Sequence, residues 1–230
     1  MVCPTLTTAS TAGFPSFREN RFLQGICVAT AVMVTLNAIH PDKVFDFFLE
    51  NAAVLMLLAA LVPSYRKLPL SDLSYGLIFV YLSLHEWGAH YKYYDVPLGE
   101  WMKGWLHTDR NMYDRVVHFS FGLLMSYPLQ ELLMRKIGVR SKWRYVLPVE
   151  AILSFSAIYE MMEAGAAMVL SPERGDEFVG MQGDIWDSQK DMFVAGVGSV
   201  VAMVILGVVR HSLAARRAAQ EMTAELVETK

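Results

Sequence analysis

Carboxylates and histidines recur at helical spacing near one end of several apolar segments. Glu86 and His90 stand i, i+4 in LHEWGAHYKYYD and share a helix face. Asp114 and His118 repeat that spacing in NMYDRVVHFSFG. A carboxylate and an imidazole one turn apart can offer two ligands to one metal ion. Two such pairs on adjacent antiparallel helices can meet at matching depth. Glu160 and Glu163 in IYEMMEAG share a face at i, i+3, and Asp184, Asp187 and Asp191 in GDIWDSQKDM follow the 3.6-residue period. Glu86, His90, Asp114, His118, Asp187 and Asp191 are therefore the candidate ligands for zinc or another divalent metal. Such an ion brings the pKa of bound water down toward roughly 7 and so makes a nucleophile. Glu160 or Glu163 would serve as general base. Arg110 or Arg115 could hold a lipid phosphate by two parallel hydrogen bonds. His85 either supports Glu86 or packs against the following span.

These residues need helices to position them, and the composition places those helices in a bilayer. The chain has 230 residues, is 54% hydrophobic and has a mean hydropathy of +0.31, toward the membrane side for its size. A span takes about 20 mostly apolar residues. Segments 23–39, 44–62, 73–91, 116–134, 145–169 and 190–209 meet that requirement with varying purity. The sequence thus predicts an all-α, polytopic membrane bundle of about six helices. With both termini in the cytoplasm, 13 of the 20 Lys and Arg residues fall on the inner side, which favours N-in, C-in topology. The acidic and histidine-rich end then faces outward. Ionisable groups at membrane depth are costly and usually mark a site.

The domain reading is a cytoplasmic tail over 1–20, the transmembrane body over 21–210 and a cytoplasmic tail over 211–230. The first tail is Ser/Thr-rich with Pro4 and Pro15 and has no apolar core of a cleaved signal. Cys3 and Cys27 fall in different environments and imply no disulfide framework. Spans one and two turn through His40, Pro41, Asp42 and Lys43 and read as a supporting wall. Glu50, Asn51, Glu131 and Glu150 are placed in the inner half, with no continuous polar path. Tyr91 to Tyr113 carries Tyr93, Tyr94, Trp101 and Trp105. It reads either as an interfacial aromatic belt or as a lid over the polar cluster. Ser171 to Gly183 is a Gly- and acid-rich connection. Gly165, Gly196 and Gly198 suit close helix packing. Basic residues are dispersed along one membrane face, so nucleic acid is not a partner. No pattern fixes an oligomeric state.

The motifs HEWGAH at 85–90, RNMYDRVVHF at 110–119, YEMMEAG at 159–165 and GDIWDSQKDM at 183–192 resemble the YjdF-like family of bacterial inner-membrane proteins. The resemblance covers roughly residues 20–210. It implies a multi-pass protein of the inner membrane and no particular activity. A looser likeness runs to membrane-embedded metallohydrolases of the ceramidase type, which gather His and Asp at one end of a bundle. This chain has Asp187 and Asp191 in its last span where a paired-histidine motif would stand.

Three functions compete on these residues. The first is a metal-dependent hydrolase acting on a lipid or other amphiphile from the bilayer. Its diiron variant would want a repeated inward Glu-x-x-His pair, which is absent. The second is a cation-binding or transport protein using the same acids. The third is a non-catalytic scaffold whose outer cap is a salt-bridge network joining Arg110, Arg115 and Lys190 to the aspartates.

Overall fold

The computed structural model describes residues 15–170, 175, 179 and 181–228, with side chains described to residue 221. The expectations placed on Cys3, on most of the first tail and on the acids and base of 171–174 and 176–178 lie outside these residues. Everything regular among the described residues is helical. The helices are α1 (Arg21–Asn37), α2 (Val44–Ser64), α3 (Asp72–His90), α4 (Pro97–Leu106), α5 (Tyr113–Leu132), α6 (Trp143–Val169) and α7 (Asp187–Glu228). A π-helical turn, Leu133–Ile137, extends α5 and is stopped by Gly138 at φ 74°. Helix α7 runs through residue 210 without a break.

Local sequence explains the ends of these elements. Asn20 caps α1 by accepting from the Leu23 amide at 2.8 Å, and its side chain also donates to Asp72 at 2.7 Å. Ser71 caps α3, and Glu131 of α5 accepts from both its amide and its hydroxyl at 2.8 Å. One carboxylate thus ties the start of α3 to the end of α5. Pro97 opens α4, where its missing N–H is no loss.

Helix α5 is the centre of the bundle. It packs most extensively against α7, then against α3 and α6. Val54, Ile78, Leu82, Met125, Ile152 and Ala195 form the shared core, drawn from five helices. The α5–α7 crossing is close because both helices present glycine there. A Cβ on Gly122 would strike the backbone of Ala195 and Ser199, and one on Gly198 would strike that of Phe119. Ser126 and Ser199 share a 2.6 Å hydrogen bond in the same seam. Gly198 therefore packs as the sequence indicates, and Gly196 lies against Leu153. Gly165 has open space around it and takes no part.

Burial is inverted relative to a water-soluble domain. On α2, Leu55 and Val62 are 64% and 72% exposed, while Asp46, Glu50 and Asn51 are 8%, 7% and 7% exposed. Large apolar surface outside and carboxylates inside suit a lipid surround. Three helices are long and apolar enough to cross a membrane: Val44–Ser64, Trp143–Val169 and the Asp187–Glu221 part of α7. Helix α1 is apolar but shorter. Helices α3 and α5, at 19 and 20 residues, have the length and are not among them. They are the helices that carry His85, Glu86, His90, Asp114, Arg115 and His118, so the side chains of interest are what lower their hydropathy.

The α5–α7 seam yields a prediction. Gly122→Ala should lower stability by about 1–3 kcal/mol, because the new methyl meets backbone that cannot rotate away. Thermal unfolding of the detergent-solubilised protein measures it, and an unchanged midpoint would show that the seam opens freely. Gly165→Ala, in open space, is the neutral comparison.

Candidate functional site

Three polar groupings gather toward the end where α5 and α7 begin. The outermost is an ion-pair cap. Asp187, in the first turn of α7, receives both Arg110 and Arg115 on one carboxylate oxygen. Arg115 also pairs with Asp191 one turn on, lies 3.3 Å from Asp184, and donates to the Asp187 carbonyl at 3.2 Å. Arg110 donates to the Met181 carbonyl at 2.6 Å. Lys190 closes the ring on Asp184 at 2.7 Å. That hydrogen bond, the largest influence there, holds the Asp184 carboxyl below its ordinary range. Backbone contacts fasten the cap: the Asn111 amide donates to Gln182 Oε1 at 2.8 Å, and Gln182 donates back to the Asn111 carbonyl at 3.2 Å. This is the arrangement that the salt-bridged reading of the sequence required.

The second grouping lies beneath the cap. His118 Nε2 is 3.5 Å from Asp114 Oδ1 and 3.5 Å from Glu160 Oε1. Asp114, His118 and Asp191 each offer a ligand atom, and these atoms lie within 4.8 Å of one another. Helix spacing provides two of them, since Asp114 and His118 are one turn apart on α5. The glycine seam provides the third by bringing α7 close. Glu160 Oε1 and Asp191 Oδ1 are buried with no hydrogen-bond partner among the described residues. Asp191 is thus divided: one oxygen is taken by Arg115 and the other faces no donor.

The third grouping joins α2, α3 and α6. The Tyr159 hydroxyl donates to Glu50, and the Tyr159 ring meets His118 edge-on with centroids 6.1 Å apart. His85 Nδ1 is hydrogen-bonded to the Tyr93 hydroxyl at 2.6 Å, leaving Nε2 buried and unpartnered among the described residues. Glu86 is fully buried beside Asn51, and neither of its oxygens meets a donor in hydrogen-bonding geometry among those residues.

The predicted residues thus separate into groups. Asp114, His118 and Asp191 converge, with Glu160 against His118. Asp187, Arg110 and Arg115 belong to the cap. His90 turns away: its Nδ1 bonds the Asn37 carbonyl at 2.8 Å, and its ring packs on Tyr91. Glu86 does not join the converging trio. Glu163 is half-buried on α6. Two contributors were read differently in the sequence. Tyr159 is not among the sequence candidates, although it stands beside Glu160. The sequence places Glu50 in the inner half and α2 in a supporting wall, yet Glu50 lies in the second turn of α2 and reaches Tyr159. Counting from the His40–Lys43 turn, which lies at the same end as the cluster, would have placed it correctly.

The connection after α3 divides by residue type. Tyr113 is fully buried and donates to the Leu84 carbonyl at 2.8 Å, and Tyr93 points to His85. Trp101 and Trp105, on α4, are 59% and 75% exposed and pack on each other. The tryptophans suit an interfacial belt, whereas the tyrosines close the polar interior. Asn111 pins α4 by donating to the Val96 carbonyl at 3.1 Å and to Glu100 at 2.9 Å. Lys103 first and Asn111 second hold the Glu100 carboxyl below its usual range.

Comparison with known proteins fits this layout. The family model described as predicted membrane protein (DUF2238) matches residues 22–212. The Inner membrane protein YjdF of Escherichia coli (strain K12) is 33% identical over 178 residues, which is 77% of this chain and 84% of that protein. No solved structure matches.

The cap generates the second prediction. Asp187→Asn removes the carboxylate that the buried Arg115 and the half-buried Arg110 share and should cost about 3 kcal/mol or more, as breaking a buried pair does. Thermal or denaturant unfolding in detergent reads this directly. A loss below about 1 kcal/mol would mean that the cap behaves as a solvent-screened surface pair.

Proposed function

This chain belongs to the DUF2238 family of predicted membrane proteins, and on that footing we propose that it is a multi-pass protein of the bacterial inner membrane with a buried divalent-metal site near its outer face. In this reading α1, α2, α3, α5, α6 and α7 cross the bilayer. Both termini are cytoplasmic, as the excess of Lys and Arg on that side favours. Helices α3 and α5 are tolerated in lipid because their neighbours enclose their polar faces. The name of the 33% identical relative supports the location.

The observation that carries the metal reading is the convergence of Asp114, His118 and Asp191 from two helices, with a spare buried oxygen on Asp191. Two carboxylates and one imidazole make a donor set for zinc or another first-row divalent ion, and three protein ligands leave a position for water. Bound there, the ion would supply a water ionised near neutral pH. Glu160, with an unpartnered oxygen 3.5 Å from His118 Nε2, is placed to take that water's proton. The cap does not bind metal in this reading. Arg115 fixes Asp191 while leaving its second oxygen free. Arg110 Nε, buried and unpartnered among the described residues, is the donor left for an anionic headgroup. The reaction is then hydrolysis of a lipid or other amphiphile reached from the outer leaflet.

A second reading, a non-catalytic scaffold, draws on the completeness of the cap. It needs no ion, and it predicts that His118 and Asp191 matter only for stability.

Metal analysis of the full chain purified in detergent separates the two. Near-stoichiometric zinc, iron or manganese should be present, lost in His118→Ala and retained in His90→Ala, whose ring is engaged with Asn37. No metal after reconstitution with each ion, or equal metal in both variants, would overturn the metal reading and leave the scaffold.

A further inference from the structure

The far end of the bundle holds a cavity of different chemistry. About 520 Å³ in volume, it opens between the start of α6 and the middle of α7. Ser141, Arg144, Tyr145, Gly207, Arg210 and His211 line it. The two guanidiniums flank one aromatic ring: Arg144 Cζ is 6.0 Å and Arg210 Cζ 5.7 Å from the Tyr145 centroid. Their positions are fixed from within. Gln130, fully buried on α5, donates to the Arg144 carbonyl at 2.7 Å and accepts from Arg210 at 2.5 Å. Arg144 Nε donates to the Ser141 carbonyl at 2.9 Å.

These cations are not neutralised. Neither Arg144 nor Arg210 has a carboxylate partner among the described residues, in contrast to Arg110 and Arg115. Arg210 Nη1 is buried with no hydrogen-bond partner there. The same cavity receives the N-terminus of the 27-residue α6, whose Lys142 cap supplies no side-chain acceptor and whose first turn holds no acid. A long helix start, two positioned guanidiniums and an orphaned buried donor together describe an anion site.

Depth decides which anion. Arg210 is the first charged residue after the uncharged run 192–209, and Arg144 stands at the mouth of α6 beside Trp143, which is 53% exposed. That is headgroup level, where Trp, Tyr and Arg gather. We propose that this cavity binds the phosphate of an anionic lipid headgroup. Basic pockets between membrane helices on the cytoplasmic side take such headgroups. Arg210 offers its unpartnered Nη1 and Arg144 its terminal N–H groups to phosphate oxygens, while Tyr145 orients them.

The test uses the full chain in detergent with equal phosphatidylglycerol and phosphatidylcholine, read by native mass spectrometry and by thermal midpoint. The wild type should retain phosphatidylglycerol selectively and be stabilised by it. Arg144→Gln should reduce that retention about fivefold, the effect of one interfacial cation. His211→Glu, an exposed substitution that sets a negative charge at the cavity mouth, should do the same without disturbing Gln130, and so keeps the test decisive if Arg144→Gln misfolds. Equal retention of the two lipids, or retention unaltered in a folded variant, would overturn the proposal. Stabilisation by inorganic phosphate equal to that by phosphatidylglycerol would overturn the lipid assignment in favour of a free phosphate. Metal content at the opposite end is independent of every one of these outcomes.

Discussion

Charge neutralisation around Arg115 is the constraint on which the rest depends. A guanidinium buried among apolar helices is costly unless carboxylates surround it. Here three aspartates of one stretch, Asp184, Asp187 and Asp191, do so. Their spacing along the start of α7 fixes the rotation of that helix, because all three must face α5. Rotation in turn settles which residues of α7 enter the seam. Gly198 and Ser199 then meet Phe119, Gly122 and Ser126, and the helices close to backbone contact. The close crossing and the ion pairs are therefore one solution. Widening the seam would pull Asp191 off Arg115, and releasing Arg115 would free α7 to rotate.

That coupling explains why the polar trio is so narrowly placed. Asp114 and His118 come together by helix geometry alone. Asp191 joins them only because α7 is held by Arg115 and by glycine. The outward tyrosines complete the enclosure. Tyr113 and Tyr93 cover the side toward α3, and Tyr159 joins α6 to Glu50 on α2. Helix α2 likewise turns Asp46, Glu50 and Asn51 to the interior despite its otherwise apolar sequence.

What the sequence disclosed follows from local periodicity. The i, i+4 pair Asp114–His118, the aspartate series of α7 and the helical class were legible, because each depends on spacing within one element. The cap was legible as charge balance. Partners across elements were not. His90 has the same spacing from Glu86 as His118 has from Asp114, yet it lies in the last turn of α3 and bonds the end of α1 instead. Spacing places a residue on a face; only packing says which neighbour that face meets. Glu50 differs from its expected place for a related reason, since depth along a helix is counted from the end at which the chain enters it. Gly122 went unremarked because one glycine in a span carries no signal until the opposite helix is known to approach it.

Charge also bears on what fills the space beneath the cap. The carboxylates in ion-pair distance of the network are Asp114, Glu160, Asp184, Asp187 and Asp191, and its permanent cations are Arg110, Arg115 and Lys190. With His118 neutral, two negative charges remain among these groups. One divalent ion or two protons would balance them. A proton shared between Glu160 and His118 is accommodated at their 3.5 Å separation once the groups close slightly. A second proton, on Asp191, would lie near Asp114 and His118, whose ligand atoms are within 4.8 Å of its own. The divalent ion of the proposed function, held by Asp114, His118 and Asp191, would meet the same charge balance with one occupant. Charge balance therefore calls for positive charge beneath the cap, close to the Asp191 oxygen that Arg115 leaves unclaimed.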